Sequence, residues 1–497
     1  MIDKALTEKL AELKARRTPF EPTWEELARY FCPYRENLFY DRTPESPIGK
    51  YLFDSTGVSA VRMLAEGLFG YLMSPSLDWF KLEVPDMDTD AETKYWLEGI
   101  VKDLYAAFRR SNFYSEVVEF LIDGITFGTG ILYFEENLGD RSIFYKVMSP
   151  PRIWIDEDGY GQIKTVFRQD TYTEAQATDK FGCKNLGGKF IHAVVPDGDH
   201  WRSVWYHEMK GEIVRESKYD FFPYIVWRCI KNPDSVYGYS PAMMSLPTVK
   251  TLNSIRKSLL EAGQLSVKPP MNVPINADVD LTPNGINYFD SPENKISPVN
   301  LGINFPIGRD REEQIQKSVR DFFSIDFFLM FAHQERAMTA TEVVERQGEK
   351  AAILGNIVGR LTNELLDKVI EGAFNIEFNA GRLEPPPEGL VGRKIDIEYL
   401  GPLAVAQKRL FESRGLNQAI ESVAPILQAN PDTAINLNWD YLLRYAYNVA
   451  GAPAHGLIDE EEVQKRRILA TMQQQAQVQA EAEAEGKSEA IVEGGAS

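Results

Sequence analysis

Histidine and cysteine are scarce in this chain: five and three among 497 residues. Cys32, Cys183 and Cys229 lie far apart, which excludes a disulfide framework and any paired-cysteine metal site and fits a reducing compartment. His192, His200, His207, His333 and His455 make no H-E-x-x-H, and His207-Glu208 lacks the second histidine. No G-x-S-x-G occurs. The run G-C-K-N-L-G-G-K-F from Gly182 looks like a phosphate loop but departs from it. Lys189 follows one glycine too many, and Phe190 stands where a metal-binding hydroxyl is needed. A glycine-rich turn ahead of a strand is the better reading. No apolar run reaches the roughly eighteen residues of a membrane-spanning helix. The opening M-I-D-K-A-L-T-E-K-L reads as a charged amphipathic helix, not a signal peptide.

Positive charge is also in deficit. Lys and Arg number 54 against 73 Asp and Glu, a formal net charge of −19. Such a surface repels nucleic acid except at local basic clusters, so a tight DNA grip is disfavoured while passage of DNA along a repulsive wall is not. The acidic excess leaves a nuclease-type carboxylate cluster open, although an acidic surface explains it more simply. No catalytic residue, metal site or cofactor is expected, and the chain is read as no enzyme.

What remains is an ordinary globular composition, 44% hydrophobic and 26% charged, long enough for about two to four domains. The segment from Thr339 to about Phe378 reads as one long helix. Thr339 and Glu342 form a capping box. Ala351, Leu354, Val358, Leu361, Leu365 and Val369 then recur at helical steps. About forty such residues span roughly 60 Å, beyond the usual globular helix, so neighbours are needed along the whole length; in a ring of copies these would be other subunits. Before it, Phe322, Phe323, Phe327, Phe328, Leu329, Met330 and Phe331 crowd together, either as a buried helix end or as a hydrophobic loop.

In chain order, Leu6, Leu10 and Leu13 mark a first helix, Glu21 to Phe31 a second with Trp24 and Leu27 inward, and a third follows a cap at Asp54 or Ser55. D-W-F-K-L-E-V reads as a strand, and Glu92–Arg110 and Phe113–Phe127 as helices. From about 129 to 231 short alternating aromatic and β-branched runs predict an antiparallel β-rich module. Helical spacing returns from Ser240-Pro241 to about Leu265, and again from Arg309 or Asp310 to the phenylalanine cluster. Between them lies a Pro-, Asn- and Gly-rich excursion, so the expected shape is a stalk of two antiparallel helices carrying a small head. Residues 385–387 are a triple-proline break, Ile395 to Leu400 a strand, and helical patterns lie at Val405–Ala429, Trp439–Val449 and from Asp459 on, the last residues being disordered. The class is α+β, mainly helical.

Cations on the stalk are Lys250, Arg256 and Lys257 on one helix and Arg309, Arg311, Lys317 and Arg320 on the other. Glu312, Glu313 and Asp321 interleave with the second set, so a salt-bridged face is the favoured reading and a DNA-facing one the alternative. Lys465-Arg466-Arg467 reads as a solvated helix face. Gly355 and Gly359 allow a close helix approach or are simply tolerated.

P-T-W-E-E-L-A-R-Y-F-C-P-Y-R (22–35), the run 53–82 with its S-P step and aromatic strand, V-Y-G-Y-S-P-A-M-M-S-L-P-T-V-K-T-L-N (236–253) and M-T-A-T-E-V-V-E-R (338–346) together resemble the portal proteins, or head-to-tail connectors, of short-tailed bacteriophages. The resemblance spans most of the first 385 residues and is weaker beyond. It implies a homo-oligomeric, dodecameric ring at one capsid vertex, in contact with terminase, capsid and tail adaptor proteins, with double-stranded DNA passing through and no membrane. The portal fold would comprise a wing (1–235), a first stem helix (236–267), a clip (268–306), a second stem helix (307–325), a channel loop (326–338), a long helix (339–384) and a crown or barrel (385–497). Phe327, Phe328, Leu329, Met330, Phe331 and His333 would form the channel loop, and Gly355 and Gly359 the contact between neighbouring long helices. Location would be the virion, after assembly in the host cytoplasm. The alternatives are a DNA-processing terminase or nuclease subunit, and a structural adaptor without a gate.

Overall fold

The computed structural model describes residues 3–35, 38–39, 49–85, 91–273, 275, 279–280, 287–288, 291, 296–299, 305–325, 355–390, 393–400, 439–440, 442–443, 463 and 465–467. The chain divides into two units, Met1–Val405 and Ala406–Ser497. In the second unit the described residues are short helical pieces, where Arg467 grips Asp440 at 2.6 and 2.7 Å. The expected capping box at Thr339 and most of the C-terminal helical patterns lie outside the described residues.

The first unit mixes helices with antiparallel sheets. Helix α1 (Lys4–Arg17) starts at Asp3, whose carboxylate accepts from Ala5 N–H at 3.1 Å. Its stripe of Leu6, Leu10 and Leu13 packs on one face of a five-stranded sheet, through Trp154, Phe167, Ile191, Ala193, Val204 and Tyr206. That sheet has the order β4-β5-β6-β7-β8, with β4 Ile153–Glu157, β5 Ile163–Tyr172, β6 Gly188–Asp197, β7 His200–His207 and β8 Ile213–Tyr219. Side chains alternate between faces along a strand. Phe167, Ile191 and Val204 therefore meet α1, while Phe190 and Trp205 face the other way, toward Ala177 of α6 (Glu174–Phe181) and Leu186.

Two of these elements were not legible from hydrophobic period. Helix α6 buries only Ala177, and the signal it did carry is its cap: Thr173 and Gln176 make a reciprocal capping box. Strand β8, I-V-R-E-S-K-Y, is an edge strand whose charged residues suit solvent and blur the alternation. The glycine-rich run after α6 is a turn, with Gly182 in the left-handed region at φ 72° closing the helix.

A second, three-stranded sheet has the order β3-β2-β9, with β2 Thr129–Asn137, β3 Ser142–Val147 and β9 Tyr224–Arg228. It joins the main core with α2 (Glu21–Phe31), α3 (Thr56–Leu72), α4 (Ala91–Arg110) and α5 (Phe113–Phe127), whose contributions include Trp24, Leu68, Phe108 and Phe120. Gly128 ends α5 at φ 82°, and a Cβ there would stand 2.0 Å from the carbonyl oxygen of Gly238, so two backbones touch at this point. Strand β1 (Phe80–Glu83) pairs with β10 (Asp396–Tyr399), Phe80 opposite Tyr399, which ties the chain beyond the triple proline to α4 and β1. The sequence thus folds as the α+β protein its patterning predicts.

The long helix is described from residue 355. Residues 355–361 are α-helical, Thr362–Leu366 form a π turn, and α9 (Asp367–Asn379) continues to the end. Leu361, Leu365, Val369, Ala373 and Ile376 are buried. The π turn inserts one residue, and the helix keeps an apolar flank on the core while Glu364 turns toward β9. Gly372 lets Phe134 of β2 close on the helix: a Cβ there would meet that ring at 2.4 Å. Phe134 is held there by Phe221, stacked on it at 5.6 Å, and by Tyr145 at 6.2 Å. Gly372→Ala is therefore expected to destabilise the chain, since overpacking costs about 1–3 kcal/mol against an alanine preference in helices of about 1 kcal/mol. Thermal unfolding of the variant reads this as a lowered Tm, and an unchanged or raised Tm refutes the seat.

His192 sits fully buried, its Nδ1 3.0 Å from the Tyr224 hydroxyl and its Nε2 2.9 Å from Ser203 Oγ, stacked on Trp205 at 4.3 Å. Burial first, then the nearby Arg168, Lys180 and Arg215 charges, holds its pKa well below the ordinary 6.5. The unfolded chain then binds a proton that the folded chain refuses. Stability is full above about pH 6.5 and is lost as pH falls toward the folded value, at up to about 1.4 kcal/mol per pH unit. Urea titrations between pH 7 and 5 are expected to show this slope, and His192→Gln to flatten it.

Candidate functional site

The stalk is built from α7 (Pro241–Val267) and α8 (Phe305–Phe322). Helix α7 starts with Ser240 as its cap, accepting from Met243 N–H at 3.0 Å, and Pro241 at the first turn where a missing N–H costs nothing. The Ser240 hydroxyl also donates to the Thr126 carbonyl at 2.8 Å, which fixes the helix start to α5. Leu259 meets Gly308, Arg256 bonds Glu312, and Asn253 and Gln316 both bond Asp54, so as the α7 numbers fall the α8 numbers rise and the two helices run antiparallel. Gly308 lets Leu259 approach: a Cβ there would lie 2.6 Å from its Cδ2. At the far end Met271 pairs with Pro298 and Asn272 with Ser297, a two-residue ladder closing the excursion between the helices.

A polar collar marks where the stalk leaves the body. Asn253 Oδ1 accepts from Phe53 and Asp54 N–H at 2.8 and 3.1 Å. Asp54 in turn accepts from Thr56 N–H at 2.8 Å, starting α3, and from Gln316 Nε2 at 2.9 Å. Up to Asn253, α7 is largely buried; beyond it the helix is exposed or half-buried throughout. Leu260, Leu265 and Val267 are 46%, 41% and 81% exposed. In the excursion Val273, Ile275 and Tyr288 are exposed as well, at 42%, 93% and 92%.

The stalk cations divide into two groups. On α7, Lys250 pairs with Glu26 at 2.8 Å, a contact that raises its pKa, Arg256 bonds buried Glu312 at 2.9 and 3.2 Å, and Lys257 stands 3.8 Å from Glu261 and over the Phe53 ring. On α8, Arg309, Arg311, Lys317 and Arg320 are all exposed and make no ion pair among the described residues. The interleaved Glu312 bonds across to α7 and not along its own helix. Helical geometry puts Arg309, Lys317 and Arg320 on one flank with Glu313, and Arg311 on the other.

The phenylalanine cluster splits. Phe323 is buried against Phe31, ring centres 6.0 Å apart, and Ile325 is buried, while Phe322 is 39% exposed. Phe327, Phe328, Leu329, Met330, Phe331 and His333 lie outside the described residues. Core packing thus anchors the chain up to 325, immediately before them. Gly359 is open, with nothing within 4 Å of a would-be Cβ, and Gly355 is half-buried. Lys465, Arg466 and Arg467 are exposed on a helical piece.

Two ionic clusters, which period and motif reasoning missed, tie the long helix to the three-stranded sheet. Arg228, 4% exposed, bonds Glu157 at 2.8 Å, Glu364 at 3.0 Å and the Gly161 carbonyl at 2.9 Å. Glu364 also accepts from the Arg228 backbone N–H at 2.8 Å and from Arg360 at 3.2 Å. Farther along, buried Glu377 takes Arg382 at 2.7 Å, and Arg382 reaches Glu136 of β2 at 2.8 Å. His207, the other described interior histidine, has both ring nitrogens against backbone, at Gly187 O and Lys210 N, each 3.2 Å away. Among the described residues no helix is long and apolar enough to cross a membrane.

Comparison with known proteins places this architecture. The family model described as bacteriophage head to tail connecting protein matches residues 3–458. The chain is similar to a probable portal protein of Bordetella phage BPP-1, 27% identical and covering 95% of this chain and 92% of the relative. It is also similar to the portal protein of Salmonella phage epsilon15, 28% identical over 95% and 91%. A solved neck of an empty GTA particle aligns at a TM-score of 0.34 and 13% identity, over 73% of this chain and 86% of that one. Matched over nearly its whole length, the chain belongs to the family of bacteriophage head to tail connecting proteins, the portal component of the virion.

Proposed function

We propose that this connector works as a ring of twelve identical subunits, a passive conduit through which double-stranded DNA enters the head and later leaves through the tail. It carries no catalysis of its own; a separate terminase ATPase, docked on the excursion between α7 and α8, drives packaging. Tail adaptor proteins replace the terminase once the head is full, and assembly takes place in the host cytoplasm.

One observation carries the ring. The outer half of α7 and the adjoining excursion leave Leu260, Leu265, Val267, Ile275 and Tyr288 in water. Exposed apolar side chains recurring along one element support an interaction site there, and a second copy of the same stalk is the partner always present in equal number. Contacts between unlike faces of identical subunits close into a ring when the rotation from one copy to the next divides a full turn. DNA passage is supported by the charge distribution. The net charge of −19 gives phosphates a repulsive wall. Arg309, Lys317 and Arg320, exposed and unpaired among the described residues, offer weak salt-sensitive contacts. Phe327, Phe328 and Phe331 follow directly on the anchored end of the stalk and supply the apolar constriction of the bore. Gly359, open in the single chain, leaves room for a neighbouring long helix.

Negative-stain images of the purified protein are expected to show rings near twelve subunits with a central hole; a chain that stays monomeric at high concentration overturns the proposal, and closed rings without a bore favour a structural adaptor. The double variant Leu260→Ser with Leu265→Ser is expected to fold normally, both residues being exposed already. It should raise the concentration at which rings dissociate by at least about tenfold, equivalent to about 1.4 kcal/mol. Sedimentation velocity reads this, and unaltered rings would place the stalk surface elsewhere.

A further inference from the structure

His192 stands at a seam between the two sheets. On β6 it lies opposite Arg168 of β5 and Trp205 of β7. Tyr133 of β2 and Tyr224 of β9, opposite each other in the three-stranded sheet, bring their rings within 6.2 and 6.1 Å of the imidazole. The imidazole therefore spans the seam. Its Nε2 stays within its own sheet, on Ser203 of β7, and its Nδ1 crosses to the Tyr224 hydroxyl. Two neighbours make the same crossing: the Arg168 guanidinium lies 4.5 Å from the centre of the Tyr133 ring, and the Tyr133 hydroxyl lies 3.3 Å from that of Tyr219 on β8.

Among the described residues, the charges near this ring offer no free counterion. Arg168 of β5, Lys180 of α6 and Arg215 of β8 are cations. Asp170 of β5 is engaged by Arg168 Nε at 2.9 Å and by the Tyr172 hydroxyl at 3.2 Å. Glu135 of β2 is engaged by the Tyr133 hydroxyl at 2.6 Å. A proton on His192 thus sets a second buried cation beside Arg168, and its charge is relieved only by reaching water. The remaining ionic tie between the sheets, Arg228 to Glu157 at 2.8 Å, contains no imidazole.

We propose that His192 is an acid-operated latch, whose protonation parts the two sheets locally at the Tyr133–Tyr224 seam while the Arg228 end stays closed. In the parted state the ring meets water and binds its proton with the ordinary affinity of an imidazole, near pH 6.5. Each pH unit below that value then favours parting about tenfold more, until the closed state also takes the proton. The urea slope above reads the same proton over the whole chain; the latch assigns its effect to one seam. The device belongs to the single chain and does not depend on the ring.

Hydrogen–deuterium exchange on the full-length wild-type chain, corrected for the intrinsic pH dependence of amide exchange, tests this directly. Between pH 6.5 and 5.5 the protection of the amides around His192 on β6 and at Tyr224–Ile225 on β9 is expected to fall about tenfold, while that of α3 and of Arg228 holds. Constant protection at the seam overturns the latch, and so does an equal fall in α3, which marks unfolding of the whole body. His192→Gln supplies a neutral side chain and should abolish the fall; a fall of wild-type size in that variant assigns the proton elsewhere and refutes the proposal. If it does not fold, Tyr224→Phe removes only the crossing hydroxyl. That variant should exchange about threefold or more faster at the seam at pH 7, as for one lost hydrogen bond, and keep the acid response; wild-type exchange at pH 7 shows that the crossing bond does not hold the seam.

Discussion

The buried guanidinium of Arg228 is the contact on which the arrangement turns. It ends β9, it neutralises Glu157 of the five-stranded sheet, and it holds Glu364 of the long helix, so one cation binds three separate stretches of chain. Taking one partner from a buried ion pair costs about 3–5 kcal/mol; Glu157 and Glu364 are each about one-fifth exposed, which puts this cluster toward the lower end. The second tie, Glu377 through Arg382 to Glu136, repeats the logic one sheet strand away. Between the two ties Gly372 accepts Phe134. The long helix is therefore fixed in rotation, translation and distance against the sheet, and its residue 355 end is aimed by elements far from the stalk.

That fixation explains the π turn. A regular helix through Leu361, Leu365 and Val369 would keep these leucines on the core, but Glu364 must also reach the N–H and side chain of Arg228. Inserting one residue over Thr362–Leu366 satisfies both, at the cost of poorer backbone geometry. Period counting on the sequence sees a single uninterrupted stripe, because the apolar residues on both sides of the insertion still fall at steps of three and four.

Much of the fold was nevertheless written in local pattern. The boundaries of α2 and α5, the leucine stripe of α1, the antiparallel module from β2 to β9 and the paired stalk helices all follow from apolar spacing, caps and turn residues. Patterning failed where the deciding partner is distant in sequence. Glu364 and Arg228 are 136 residues apart, Asn253 and Phe53 are 200 apart, and nothing in either neighbourhood marks them. A polar Asn253 beside Leu252 on an otherwise apolar helix face was the one hint of the collar. The stalk cations show the same limit: Arg256 finds its acid across the helix pair, whereas local interleaving on α8 suggested pairs along one helix that do not form among the described residues. The phenylalanine cluster was legible as unusual, but its split between a core anchor at Phe323 and the run beyond residue 325 depends on Phe31, nearly three hundred positions away.

Edge management links the two ends of the molecule. An uncovered strand edge invites indiscriminate pairing, and covering it with helix side chains is one way proteins prevent this. Here Asn112 and Glu116 take the outward groups of Tyr145 and the Val147 N–H on the β3 edge, and Glu364 and Arg360 take those of Arg228 on the β9 edge, so the same device serves both sides. On the β9 side the π turn of the long helix packs against the strand, and Tyr224 and Val226 are buried. A helix laid along the edge excludes the long flat pairing that leads to aggregation. The stalk is managed differently: beyond the Asn253 collar, Leu260, Leu265 and Val267 are left exposed. In the proposed ring these side chains meet a neighbouring stalk, while the Asn253 collar and the ties of the long helix to the sheet keep each subunit's own elements in place.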